Sequence, residues 1–179
     1  MSTRTLYLII WPAPKNQRAH FGIWAPDEED GLVGTAIHVV GTPMSGFKLE
    51  FKRKYDHTKT ARAPQLVPLG EVQEDLVHKW DGERMDHYTA MGTLEKIAEQ
   101  VPPPRKSENF LAPVNDTTNR RCQEWTMDYV RRLVQKGYLQ ESAIETVQAR
   151  RDPPNVGIGL RPAAERQQQA AEQAGPQNE

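Results

Sequence analysis

Apolar and polar residues follow two periods along this chain, and the switch between them divides it into a strand-forming half and a helix-forming half. Residues 5–11 (TLYLIIW) are β-branched, aliphatic and aromatic without a polar break, as in a strand buried on both faces. After Pro12, Pro14 and Asn16 comes a second apolar run, residues 20–24 (HFGIW), closed by Pro26. The acidic, glycine-containing stretch 27–31 (DEEDG) then leads into residues 35–40 (TAIHVV), which predicts a hairpin with a solvated connection. Pro43 and Gly46 precede residues 47–53 (FKLEFKR), whose strict alternation marks a half-buried strand. Residues 65–72 form a weaker strand pattern, interrupted by Pro68.

From residue 92 the period becomes helical. Leu94, Ile97, Ala98 and Val101 lie on one face of a segment that ends at Pro102, Pro103 and Pro104. Residues 115–119 (NDTTN) are all able to cap, and residues 119–136 form the strongest helix. Its stripe is Trp125, Tyr129, Val130, Leu133 and Val134; Arg131, Arg132 and Lys136 suit its C-terminal end, and Gly137 is placed to stop it. A shorter helix spans residues 141–150, before Pro153 and Pro154. From Arg161 the chain is Gln, Ala, Glu and Pro without an apolar stripe, a composition that predicts disorder. The expectation is one α+β domain over residues 1–160, an antiparallel β-sheet or partial barrel packed against a few helices, followed by a disordered tail over residues 161–179.

Composition narrows the class. Apolar residues make up 37% and charged residues 26%, and 23 basic against 24 acidic side chains give a net charge of -1. Nothing in that balance draws the whole molecule to nucleic acid or anionic lipid. The one basic cluster, Lys48, Lys52, Arg53, Lys54, Lys59 and Arg62, reads as a strand edge kept soluble by lysines before it reads as a binding patch. A single cysteine excludes an internal disulfide and a cysteine-based zinc site. Residues 6–11 are too short for a signal-peptide core, and no stretch reaches the roughly 20 apolar residues that cross a bilayer. The expected setting is cytoplasmic, with no membrane span, no nucleic-acid partner, no metal and no cofactor.

The cysteine carries the chemistry. Cys122 falls in the first turn of the best helix, between Arg120, Arg121 and Gln123. Unpaired N–H groups, the positive end of the helix dipole and two guanidinium groups all favour a thiolate, the reactive form of a nucleophilic cysteine. A packing role competes with this, because Trp125 lies one turn on and free cysteines are commonly buried. Two histidines weigh against packing alone: His20 opens one strand of the hairpin and His38 lies inside the other, so both imidazoles can face one helix laid on the sheet. A base in reach of the sulfur, oriented by a second polar group, is the minimum for cysteine catalysis. His57, His78 and His87 sit in polar, loop-like surroundings.

The order AHFGIW (19–24), GTAIHVV (34–40) and RCQEW (121–125) resembles the circularly permuted papain-like superfamily, which includes lecithin:retinol acyltransferase-like enzymes and PPPDE-type peptidases. It is also similar to a group of small fungal proteins sharing an R/N-C-Q-E-W-T element. The resemblance implies that His20 is the general base, His38 the residue that orients it and Cys122 the nucleophile, in a permuted papain-like arrangement. The sequence departs from these families at Arg121, where asparagine is usual, and in the 18-residue spacing of the two histidines. Two functional classes follow. One is a cysteine hydrolase or acyl/thioester transferase acting on an amide, ester or thioester of a small molecule or peptide, its oxyanion held by backbone N–H groups with help from Gln123. The other is a binding or scaffold protein in which Cys122 only packs.

Overall fold

The computed structural model describes residues 1–156. Residues 157–160 of the expected domain and the tail assigned to residues 161–179 lie outside the described residues. Among the described residues, six antiparallel strands form one open sheet: β1 (Thr3–Trp11), β2 (His20–Pro26), β3 (Val33–Thr42), β4 (Gly46–Asp56), β5 (Gln65–Gln73) and β6 (Met85–His87). Their spatial order is β5-β1-β2-β3-β4-β6, so the first four strands form a meander and the last two return to its outer edges. Three helices follow: α1 (Thr93–Glu99), α2 (Cys122–Gln135) and α3 (Ser142–Arg150). The class is α+β, as the switch of period implied.

The central strands bury both faces. On the helix side, Leu6, Leu8, Phe21, Ile23, Ile37, Val39 and Phe51 join Trp125, Tyr129, Val130 and Leu133 in the main core. On the other side, Ile9, Trp24, Ala36 and Tyr55 form a smaller cluster flanked by Tyr7 and Trp11. The connection after β4 closes over this cluster: His57 packs edge-on to Trp24, centroids 4.8 Å apart, and Tyr55 Oη lies 2.6 Å from Thr60 Oγ1. This is why the continuous apolar run of β1 is covered, wholly or in part, on both faces.

Helix α2 is the central helical element. Trp125 Nε1 donates to Val101 O at 2.9 Å and Tyr129 Oη to Leu94 O at 2.8 Å, joining α2 to α1 while their rings fill the core. Gly137, at φ 80°, ends the helix: Tyr138 N–H reaches Leu133 O and Gly137 N–H reaches Val134 O, both at 2.9 Å. This is a Schellman closure, whose left-handed residue glycine adopts without a Cβ clash. The helix begins at Cys122, not Asn119. Asn115 Oδ1 instead accepts the N–H groups of Thr117, Thr118 and Asn119, an Asx turn that delivers the chain to the helix.

The basic stretch differs from its expected role. Strand β4 is not an edge, because Phe51, Lys52 and Arg53 pair with His87, Asp86 and Met85 of β6. Arg53 is fully buried in a bidentate pair with Glu95 of α1, Nη2 to Oε2 at 2.8 Å, and also contacts His87 Nδ1. Lys52 pairs with Asp86 and Glu50, Lys54 with Asp27 and Lys59 with Asp56, while Lys48 lies over the Tyr88 ring. His87 is therefore a strand residue in an internal polar contact, not a loop residue. Among the described residues, no helix is long and apolar enough to cross a membrane.

Candidate active site

The site forms where two strands part. β2 and β3 pair from Ile23 with Ile37 to Pro26 with Gly34, so His20, Phe21 and Gly22 continue along β1 without a β3 partner. Helix α2 packs on β2 and β3 and begins at this opening. Gly22 is needed here: a Cβ on it would lie 3.0 Å from both His38 Cβ and Ile37 O, and 3.2 Å from Trp11 Cζ3. A side chain here would press on His38 and Trp11, the two residues whose rings pack against that of His20.

His20 Nε2 lies 2.7 Å from His38 Nδ1, and His38 Nε2 lies 2.9 Å from Glu50 Oε1. Glu50 faces His38 directly in the β3–β4 register. Its second oxygen accepts from Tyr88 Oη at 3.1 Å, and the Lys52 ammonium is 3.6 Å from the first. These hydrogen bonds, chiefly the one from His38, hold the Glu50 carboxyl down at about 2. An ionised carboxylate only accepts, so the proton directions follow. His38 Nε2–H donates to Glu50, which leaves His38 Nδ1 as an acceptor. His20 Nε2–H then donates to His38 Nδ1, and the free lone pair of His20 is on Nδ1.

Burial keeps this relay neutral. His38 is only 1% exposed, and burial lowers its pKa against the opposing pull of Glu50. Burial pushes His20 down to about 3, with the neighbouring His38 adding to the effect. Trp11 supplies much of the cover: its ring centroid is 4.9 Å from that of His20 and 5.4 Å from that of His38. Trp11 Nε1–H is tethered to Tyr55 Oη at 2.9 Å.

Cys122 is half-buried at the first position of α2, packed against the main core, with its thiol directed at Ala19 O, 3.9 Å away. The N–H groups of Phe21 and Gln123 also point at the sulfur. Ala19 and Phe21 flank His20, so the sulfur rests against the backbone at His20. Burial nonetheless raises the thiol pKa, and Glu124 adds to this; the two N–H groups and Arg18 oppose it without prevailing. Arg121 does interact electrostatically with the sulfur, but burial outweighs it and the resting form is the thiol. Arg120 is ion-paired with Asp128 at 2.6 Å, and the Arg121 guanidinium donates to Phe110 O at 3.2 Å.

Gln123 also takes a different part from the oxyanion support expected of it. It is fully buried, its Nε2 donating to Ala19 O at 3.0 Å and Asp152 Oδ2 at 2.8 Å, so both amide hydrogens are committed. Its Oε1 accepts from Asp152 N–H at 2.9 Å and Arg18 Nη2 at 3.0 Å. Beside it the buried Glu124 receives Arg18 through both guanidinium nitrogens at 2.8 Å, Arg151 at 2.9 Å and the Arg121 N–H at 3.0 Å.

The structure therefore joins His20 to His38, sets Cys122 against the His20 backbone, and assigns Arg120, Arg121 and Gln123 to holding the helix start. Glu50, Trp11, Arg18 and Asp152 were not anticipated. Glu50 could have been found by pairing the two strands across Pro43 and Gly46, which sets position 50 opposite 38; the others are joined to the site by no spacing in the sequence.

A family model matches residues 6–140, three quarters of the chain, including α2 and all of the sheet except the first three residues of β1, and its description is a family of unknown function (DUF6540). No curated protein and no solved structure matches the chain. The chain belongs to the DUF6540 family.

Proposed function

We propose that this DUF6540 member is a cysteine-dependent hydrolase or acyl transferase, with Cys122 as nucleophile, His20 as general base, and His38 and Glu50 as the groups that fix the base. The observation that carries the reading is the polarised chain His20–His38–Glu50, with contacts of 2.7 and 2.9 Å, ending at the residue whose two neighbours, through Ala19 O and the Phe21 N–H, hold the only thiol. A carboxylate that dictates the tautomer of an imidazole base is the logic of catalytic triads, extended here by one histidine. The resemblance to the permuted papain-like superfamily points the same way.

The resting pair is a neutral thiol and a neutral imidazole, because burial disfavours both charged forms. Proton transfer is then coupled to attack. As Sγ bonds to the substrate carbonyl carbon, His20 Nδ1 takes the thiol proton, and the imidazolium is stabilised through His38 by Glu50. The carbonyl oxygen becomes an oxyanion held by backbone N–H groups at the start of α2. Collapse breaks the bond to the leaving amine, alcohol or thiol, which receives the proton from Nδ1. Water or a second acceptor, deprotonated by His20, releases the acyl group and restores the thiol. A free-thiol nucleophile suits a reducing compartment, in line with a cytoplasmic setting.

The test is acylation followed by intact mass, with p-nitrophenyl acetate as the probe. The reading expects one acetyl group on Cys122 that is subsequently released, none on Cys122→Ala, and a rate lower by about 10²-fold or more in His20→Gln. Equal acylation of wild type and His20→Gln would remove the catalytic reading and leave Cys122 as a packing residue.

A further inference from the structure

The segment after α3 reaches back to the site. Asp152 Oδ2 accepts the Ala19 N–H at 2.9 Å and the Gln123 Nε2–H at 2.8 Å, and Asp152 N–H donates to Gln123 Oε1 at 2.9 Å. Gln123 in turn holds Ala19 O at 3.0 Å, the same oxygen that receives the Cys122 thiol. One residue outside the sheet and outside α2 thus binds the residue before His20 and the residue after Cys122. Two further contacts hold this strap in place: Val114 N–H donates to Pro154 O at 2.9 Å, and Arg18 Nη2 lies 3.4 Å from Asp152 O.

We propose that Asp152 is a positioning residue, which sets the approach of the Cys122 sulfur to His20 by clamping the start of β2 to the first turn of α2. This rests on the reading of Cys122 and His20 as nucleophile and base. The β2–β3 ladder does not reach His20, so on that side only its ring, through His38, is tied to the sheet and its backbone is not. Main-core packing locates α2 as a body, whereas proton transfer needs the sulfur within a few tenths of an ångström, and the clamp acts at that range.

The geometry makes a specific demand. Both donated hydrogen bonds converge on one oxygen, Oδ2, so an amide oxygen in its place satisfies both, while a methyl group satisfies neither. The experiment compares wild type, Asp152→Asn, Asp152→Ala and His20→Gln in the full chain, measuring acylation of Cys122 by p-nitrophenyl acetate from pH 5 to 8, well below each variant's Tm. Asp152→Asn is expected within about twofold of wild type, and Asp152→Ala lower by about 10- to 100-fold, close to His20→Gln, without loss of the folded state. Ala19 amide hydrogen exchange should accelerate in Asp152→Ala and not in Asp152→Asn. Two results overturn the proposal: Asp152→Ala acylating like wild type, or Asp152→Asn failing like Asp152→Ala, which would make the charge and not the clamp decisive. If Asp152→Ala does not fold, Asp152→Asn decides, with agreement with wild type supporting the clamp and a tenfold loss overturning it. Failure of the underlying reading is distinguishable, because only then does His20→Gln match wild type.

Discussion

At the scale of single residues, the account turns on which atom of each imidazole holds a proton. Glu50 imposes the order, since a carboxylate held at about 2 can only accept. In Glu50→Gln the amide can donate to His38 Nε2, which moves the His38 proton to Nδ1 and the His20 proton to its own Nδ1. The base is then blocked, and acylation of Cys122 should fall by about 10²- to 10⁴-fold with little change in secondary structure. Steady-state acylation kinetics with circular dichroism checks this; unchanged kinetics would make Glu50 a mere packing partner. The strand positions of His20 and His38 and the place of Cys122 in the first turn of a helix were legible from order and setting, as were the two strands. The protonation state of Cys122 was not: flanking arginines suggested a thiolate, but Arg120 is held by Asp128, and burial outweighs the attraction of Arg121.

At the scale of elements, the site exists because β2 and β3 separate after a short ladder and Gly22 leaves the gap empty. Gly22→Ala brings a Cβ to 3.0 Å from backbone and side-chain atoms of β3, with no flexible end to move aside. It should cost about 1–3 kcal/mol in urea denaturation and break the His20–His38 contact. Strand β4 and α1 are joined by the buried pair Arg53–Glu95, and Arg53→Met should cost about 3–5 kcal/mol because Glu95 is left buried without its counter-charge, keeping only the Met91 N–H. An unchanged urea midpoint in Arg53→Met would show that the pair adds nothing to the packing around it. The alternation of residues 47–53 was enough to find β4 but misread its surroundings. Three residues, 85–87, make β6, too few to carry a period, and they turn an apparent edge into an interior strand. Where α2 begins was equally hidden, because an Asx turn and a helix cap use the same residue types.

At the scale of the whole molecule, the buried relay links stability to acid. His20 folds with its pKa at about 3, below its ordinary 6.5, so the unfolded chain binds more protons as pH falls from about 6.5, and His38 acts in the same direction. Glu50 adds the same sign from about 4.5 down to about 2. Stability should therefore be flat between about pH 7 and 8, decline below about 6.5 and decline more steeply below about 4.5. His20→Gln should flatten the upper part of that decline; urea midpoints against pH measure both, and a midpoint independent of pH between 7 and 5 would show that the imidazoles are not buried neutral. The α+β class and the β2–β3 hairpin followed from periodicity, whereas the joining of α3 to the site through Asp152 depends on three-dimensional closure over more than a hundred residues.

The most direct test of the Cys122–His20 pair is the pH profile of Cys122 alkylation by iodoacetamide in wild type and His20→Gln. A neutral thiol assisted by a neutral base reacts at a rate independent of pH between roughly pH 5 and 8, above which the thiolate limb takes over. The account predicts that plateau in wild type and its disappearance in His20→Gln, with only the alkaline limb remaining. Superimposable profiles from the two proteins would contradict it.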